Sequence, residues 1–135
     1  MKTKLLYEKE SYKIRGCFFA VYNELGFGHK EVVYQRALEE EFIRQNMKSE
    51  REVGLPVSYN GKKIAEYRPD FIISNKIIIE IKALEFMPKR LESQLVYYLK
   101  GTQVPLGFLV NFGSKPLQII RKVWSKNYMG KGAVA

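Results

Sequence analysis

YRPDFIISNKIIIEIKA, running from Tyr67 to Ala83, decides how this chain folds. Between Phe71 and Ile81 almost every residue is large and apolar, the composition of strands buried within a sheet. The break at Ser74-Asn75-Lys76 divides the run into Phe71–Ile73 and Ile77–Ile81, which predicts a hairpin. Asp70, Glu80 and Lys82 interrupt it, and charges in a buried setting are costly unless something binds them. Side chains alternate across a strand, so Ile78, Glu80 and Lys82 share one face while Ile77, Ile79 and Ile81 share the other. Antiparallel pairing through the turn brings Asp70, at the start of the first strand, beside Glu80, near the end of the second. The three charges converge on one patch.

Upstream, Arg51 to Tyr59 reads as extended, and Asn60-Gly61 is a strong two-residue hairpin signal because both residues tolerate positive φ. The strand returns through Ile64 to Tyr67, and Pro69 ends or kinks that pairing. Two amphipathic helices come earlier. One runs from Ser11 to Leu25 with Ile14, Cys17, Phe18, Val21 and Tyr22 at helical spacing, the other from about Lys30 to Gln45 with Tyr34, Leu38 and Phe42 on one face. GFGHK, Gly26 to Lys30, separates them. Downstream, Met87 to Gly101 carries Leu91, Gln94, Leu95, Tyr98 and Leu99 at helical spacing, with Pro88 near its start. Leu106–Val110 and Leu117–Val123 read as two more strands. The order is ααβββαββ, a mixed α/β (α+β) fold. Residues 1–125 are read as one domain and residues 126–135, ending KGAVA, as a flexible tail.

A chain of 135 residues with 46% hydrophobic residues can bury a core of its own, which excludes disorder and the need for disulfides. Lys and Arg exceed Asp and Glu to give a net charge of +9, which suits a polyanionic partner such as nucleic acid. Cys17 stands alone, so no internal disulfide is possible, and its apolar neighbours Ile14, Phe18 and Val21 make it a buried structural thiol. No segment is long and apolar enough to span a membrane, and a cytoplasmic location is expected. Tyr97, Tyr98, Phe108 and Phe112 are read as core, with no dedicated platform for stacking single-stranded bases. His29 is read as a solvated loop residue or a phosphate contact.

Two converging carboxylates repel each other. A hard divalent cation such as Mg²⁺ resolves this by taking oxygen ligands from one or two carboxylates while keeping several waters. A lysine beside it would hold an attacking water or an anionic phosphate. The alternative for these three residues alone is an Asp capping a turn and a Glu–Lys salt bridge at a strand end. Two helices bear on the choice. Glu31 lies seven residues before Leu38 and eleven before Phe42, which at about 100° per residue aligns it with the core-facing side. An acid there also suits the helix dipole. Gln94 shares a face with Leu91, Leu95 and Tyr98, and is inward by the same argument. One metal-dependent phosphodiesterase site accounts for all of these inward polar residues together.

Pro69-Asp70, nine intervening residues and Glu80-Ile81-Lys82 resemble the PD-(D/E)xK nuclease signature. Gly28-His29-Lys30-Glu31-Val32-Val33-Tyr34 resembles the GxxExxY pattern of a small family within that superfamily, and Gln94 and Tyr98 resemble its QxxxY element. The resemblance covers roughly Tyr12 to Trp124. It implies a restriction-endonuclease-like core with a mixed sheet flanked by helices. It implies that Asp70, Glu80 and the Ile81 backbone carbonyl are metal ligands, joined by Glu31 directly or through water. Lys82 would orient or activate the water, and Gln94 would position Lys82 or a phosphate. The implied activity is Mg²⁺- or Mn²⁺-dependent nuclease cleavage. The substrate does not come with the resemblance; the net charge of +9 favours nucleic acid, read as DNA over RNA, with Lys30, Arg68, Lys89 and Arg90 as candidate nucleic-acid contacts. The small core has no evident specificity domain, so a homodimer or a protein partner is expected to supply specificity. The alternative is a catalytically silent binding module that keeps the nuclease fold.

Overall fold

Amphipathic periodicity builds the first layer. The protein is described by a computed structural model over residues 6–125, so the tail expected over 126–135 lies outside the described residues. Helix α1 spans Glu8–Leu25 and α2 spans Glu31–Arg44. Each buries one stripe, Ile14, Cys17, Phe18 and Val21 on α1 and Tyr34, Leu38 and Phe42 on α2, the spacing of a single helical face. Strands β1 (Ser49–Arg51), β2 (Leu55–Tyr59), β3 (Lys62–Tyr67), β4 (Phe71–Ile73) and β5 (Ile77–Lys82) follow. Helix α3 (Arg90–Thr102) and strands β6 (Leu106–Asn111) and β7 (Gln118–Val123) complete the order.

The main sheet has the order β1-β4-β5-β6-β7. Its pairs are antiparallel except β5 with β6, which run parallel. Parallel neighbours need a crossover, and α3 supplies it. Both faces of β5 are covered, hence its continuous apolar run. Ile77, Ile79 and Ile81 pack with the stripes of α1 and α2, whereas Ile78 packs with Leu95 and Leu99 of α3. A side chain such as Ile79, fully buried, stabilises the fold by about 2–3 kcal/mol.

Five strands separate α2 from α3, where the order ααβββαββ has three and the extended runs named from the sequence are four. The extended stretch expected from Arg51 to Tyr59 is two strands with different partners. Glu52 takes a left-handed φ of 51°, which ends β1 after it has paired back onto β4 with Ser49 opposite Ile73. Strand β2 pairs only with β3, so this hairpin is a separate two-stranded sheet. Its turn is the expected Asn60-Gly61, at φ 50° and 78°, both positive as a type I′ turn requires. Pro69, with no N–H to donate, stands where the chain leaves that small sheet for the main one. Phe108 and Phe112 are buried as expected, but Tyr97 is 60% exposed and Tyr98 only half-buried.

Candidate functional site

Register sets the site. Phe71 lies opposite Ile79, so Asp70, one residue earlier, falls opposite Glu80. The Asp70 N–H donates to Glu80 Oε1 at 3.4 Å, and Asp70 Oδ2 accepts from the Ile81 N–H at 2.7 Å. Asp70 is thereby fixed to the backbone of β5 between Glu80 and Lys82.

Glu80 is largely enclosed. Burial above all, and then the charge of Asp70, pushes its carboxyl up to about 8. The Tyr67 hydroxyl donates to Glu80 Oε2 and acts in the opposite direction, because a donor favours the ionised carboxylate. Tyr67 ends β3 and is itself buried. Its ring stacks on Tyr98 of α3, with centroids 3.8 Å apart and planes 19° apart. Burial, then the neighbouring Glu80 charge, drives the Tyr67 phenol far above its ordinary range, so it stays a hydrogen-bond donor.

From the opposite side, α2 contributes Glu31 and Gln35, one helical turn apart and therefore on the same face. Gln35 Nε2 donates to Glu31 Oε2 at 3.1 Å and to Asp70 Oδ1 at 3.3 Å. Burial and then the Asp70 charge raise the Glu31 carboxyl, with Lys82 partly offsetting them. Three carboxyl groups from α2, the start of β4 and β5 are thus in electrostatic contact. Arg51 of β1 steadies the bridge: its Nη2 donates to Gln35 Oε1 at 3.4 Å, its Nη1 meets Glu39 at 3.5 Å, and its guanidinium lies 5.7 Å from the Phe71 ring centre.

Lys82 is half-buried and forms no ion pair among the described residues. With Glu80 and Gln94 it lines a cavity of about 20 Å³ closed by Leu91, Leu95 and Tyr98, room for one water. Gln94 faces this cavity from an exposed position, not from within the core as its helical spacing suggests, and its amide has no hydrogen-bond partner among the described residues. Lys30, Lys89 and Arg90 are exposed and free of ion pairs among the described residues. Arg68 is exposed but held by Glu66 at 2.9 Å. His29 is exposed, its ring edge-on to Tyr34 at 5.8 Å.

Gln35, Tyr67 and Arg51 escape the sequence reading. Only Gln35 carried a signal there, standing four residues after Glu31. A concavity of about 700 Å³ between α1 and α2 shares no residue with this site. Glu24, Glu40 and Glu41 on its rim would repel a phosphate.

The donor set fits a hard divalent cation. Burial and, after it, the charge of Asp70 raise the carboxyls of both Glu80 and Glu31, as carboxylates gathered in one enclosed place do. Among the described residues no three His, Cys, Asp or Glu side chains gather as a ready-made ligand cluster. No helix among the described residues is long and apolar enough to cross a membrane. A sequence model of the PD-(D/E)XK nuclease superfamily matches residues 8–123. No curated protein and no solved structure matches the chain at a significant level.

Proposed function

Because the chain belongs to the PD-(D/E)XK nuclease superfamily, we propose that it is a divalent-metal-dependent nuclease that hydrolyses phosphodiester bonds in DNA. Its fold is the restriction-endonuclease-like one of that superfamily. The observation that carries the reading is the pairing of Asp70 with Glu80 across the β4–β5 hairpin, with Lys82 on the same strand face as Glu80. The stretch Gly28–Tyr34 supports the finer placement in the GxxExxY family, and the net charge of +9 supports a polyanionic substrate.

Asp70 and Glu80 would hold Mg²⁺ or Mn²⁺, with the Ile81 carbonyl beside them and Glu31 acting directly or through water. Such an ion, when bound, polarises a phosphoryl oxygen and lowers the pKa of a water. The chain's own residues do the rest. Tyr67 fixes one oxygen of Glu80, leaving the other toward Asp70. Gln35 locks Glu31 to Asp70. Lys82, beside a space for one water, attracts the negative phosphate and orients the attacking oxygen. Gln94 offers an uncommitted amide to the same space.

The test is incubation of plasmid, linear duplex and single-stranded DNA, and of RNA, with Mg²⁺, Mn²⁺ or EDTA, beside Asp70→Ala and Lys82→Ala. Metal-dependent cutting that both substitutions abolish is expected. Activity that survives both, or no cutting of any substrate, overturns the reading and leaves the silent binding module.

A further inference from the structure

Both loops that flank the site carry a bare aromatic ring. Phe27, four residues before Glu31, is 55% exposed, and Phe86, four residues after Lys82, is 81% exposed. Rings so exposed contribute little to the core. Each lies within four residues along the chain of cations that have no ion pair among the described residues, Lys30 after Phe27 and Lys89 and Arg90 after Phe86.

The two loops are rooted on one stretch, Asn111-Phe112-Gly113, at the end of β6. Buried Asn111 clasps the Leu84 backbone, accepting from its N–H and donating to its carbonyl, each at 2.9 Å. The Phe112 N–H donates to the Lys82 carbonyl at 2.8 Å, and the Phe112 ring stacks on Tyr34, centroids 4.6 Å apart and planes 9° apart. The Tyr34 hydroxyl donates to the Gly26 carbonyl at 2.6 Å and accepts from the His29 N–H at 3.2 Å, closing the loop that holds Phe27. Gly113 presses so closely on the second loop that a Cβ there would stand 2.3 Å from the Leu84 nitrogen. Both stems are therefore tied to the end of β6, next to Lys82 at the end of the neighbouring β5. Four residues reach at most about 14 Å, so each ring stands within about four stacked nucleotides, at ~3.4 Å each, of Glu31 or Lys82.

We propose, building on the nuclease reading of the site, that Phe27 and Phe86 are stacking posts for unpaired bases and that the substrate is single-stranded DNA or the unpaired part of a duplex. In an intact duplex the base faces are already stacked on one another. An unpaired strand offers them, and Lys30, Lys89 and Arg90 can follow its phosphates while the rings take its bases.

The test is fluorescence anisotropy of a labelled oligothymidylate and of a duplex of equal length, at low salt in EDTA so that nothing is cut. The wild type is expected to bind the strand more tightly than the duplex. Phe27→Ala and Phe86→Ala should each weaken strand binding about tenfold and leave duplex binding unchanged. Phe86→Trp should keep strand affinity, with its fluorescence quenched by the strand. Alanine variants that bind the strand as the wild type does, equal losses on strand and duplex, an unquenched Phe86→Trp, or a wild type that binds no strand each overturn the proposal. Cleavage separates it from the reading on which it rests. Metal-dependent cutting with ring-independent binding removes the posts and keeps the nuclease, while ring-dependent strand binding without any cutting does the reverse.

Discussion

Replacing Glu80 with Gln should stabilise the metal-free protein at mildly alkaline pH while abolishing its chemistry. Glu80's carboxyl is carried from its ordinary 4.5 up to about 8 by burial and by Asp70. A raised carboxyl pKa means that the folded state prefers the protonated form. The cost of folding with Glu80 ionised is therefore absent below about pH 4.5, grows as pH rises toward 8, and is constant above it. At about 1.4 kcal/mol per pKa unit, the wild type should lose on the order of 3 kcal/mol between about pH 5.5 and pH 8 from this group alone. The Gln amide keeps an oxygen for the Tyr67 hydroxyl but carries no charge, so the variant should not show that loss. Urea unfolding in EDTA reads this directly. With a slope of about 1–3 kcal/mol per molar, the variant's midpoint should exceed the wild type's by about 1–3 M near pH 8 and converge on it near pH 5. Added Mg²⁺ should then stabilise the wild type and not the variant. A variant less stable than the wild type at pH 8, or a gap that does not change with pH, refutes the argument that Glu80 is held ionised against its surroundings.

Tyr67→Phe removes the donor that favours ionised Glu80, so the acid limb of the pH–rate profile for DNA cleavage should move to higher pH. Gln35→Ala breaks the bridge between Glu31 and Asp70 without opening the core. Cleavage should fall about 10–100-fold with the circular dichroism spectrum unchanged, and an unaffected rate would remove Gln35 from the site. Cys17, whose thiol burial pushes up to about 11, should resist thiol reagents at pH 8 until urea unfolds the protein, and rapid labelling of the native chain would contradict its buried place on α1.

The hairpin of β4 and β5 was legible because strand parity and a short polar turn are local facts. Alternation alone puts Glu80 and Lys82 on one face, and the turn length alone sets Asp70 across from Glu80. The stripes of α1 and α2 were legible for the same reason. Strand β1 was not, because its partner residues on β4 lie twenty or more positions away and nothing in Ser49–Arg51 names them. Tyr67 and Arg51 were missed because a tyrosine ending a strand and an arginine in a short one are ordinary residues, and their roles arise only from contacts made across the fold. Exposure was the other blind spot. Helical spacing does not say that Gln94 is exposed, and composition does not distinguish the buried Phe112 from the bare Phe86.

The clamp at Asn111-Phe112-Gly113 divides the molecule's inheritance. The carboxylate pair belongs to residues 70–82, whereas the stems of both rims hang on three residues of another strand. Residues 26–30 and 85–89 could lengthen, shorten or change type over generations without disturbing the carboxylates, so long as those stems remain clasped. If the rims select and the carboxylates react as proposed, what the protein selects would be free to drift while how it reacts stays fixed. Its descendants would diverge first in diet and only later, if at all, in chemistry.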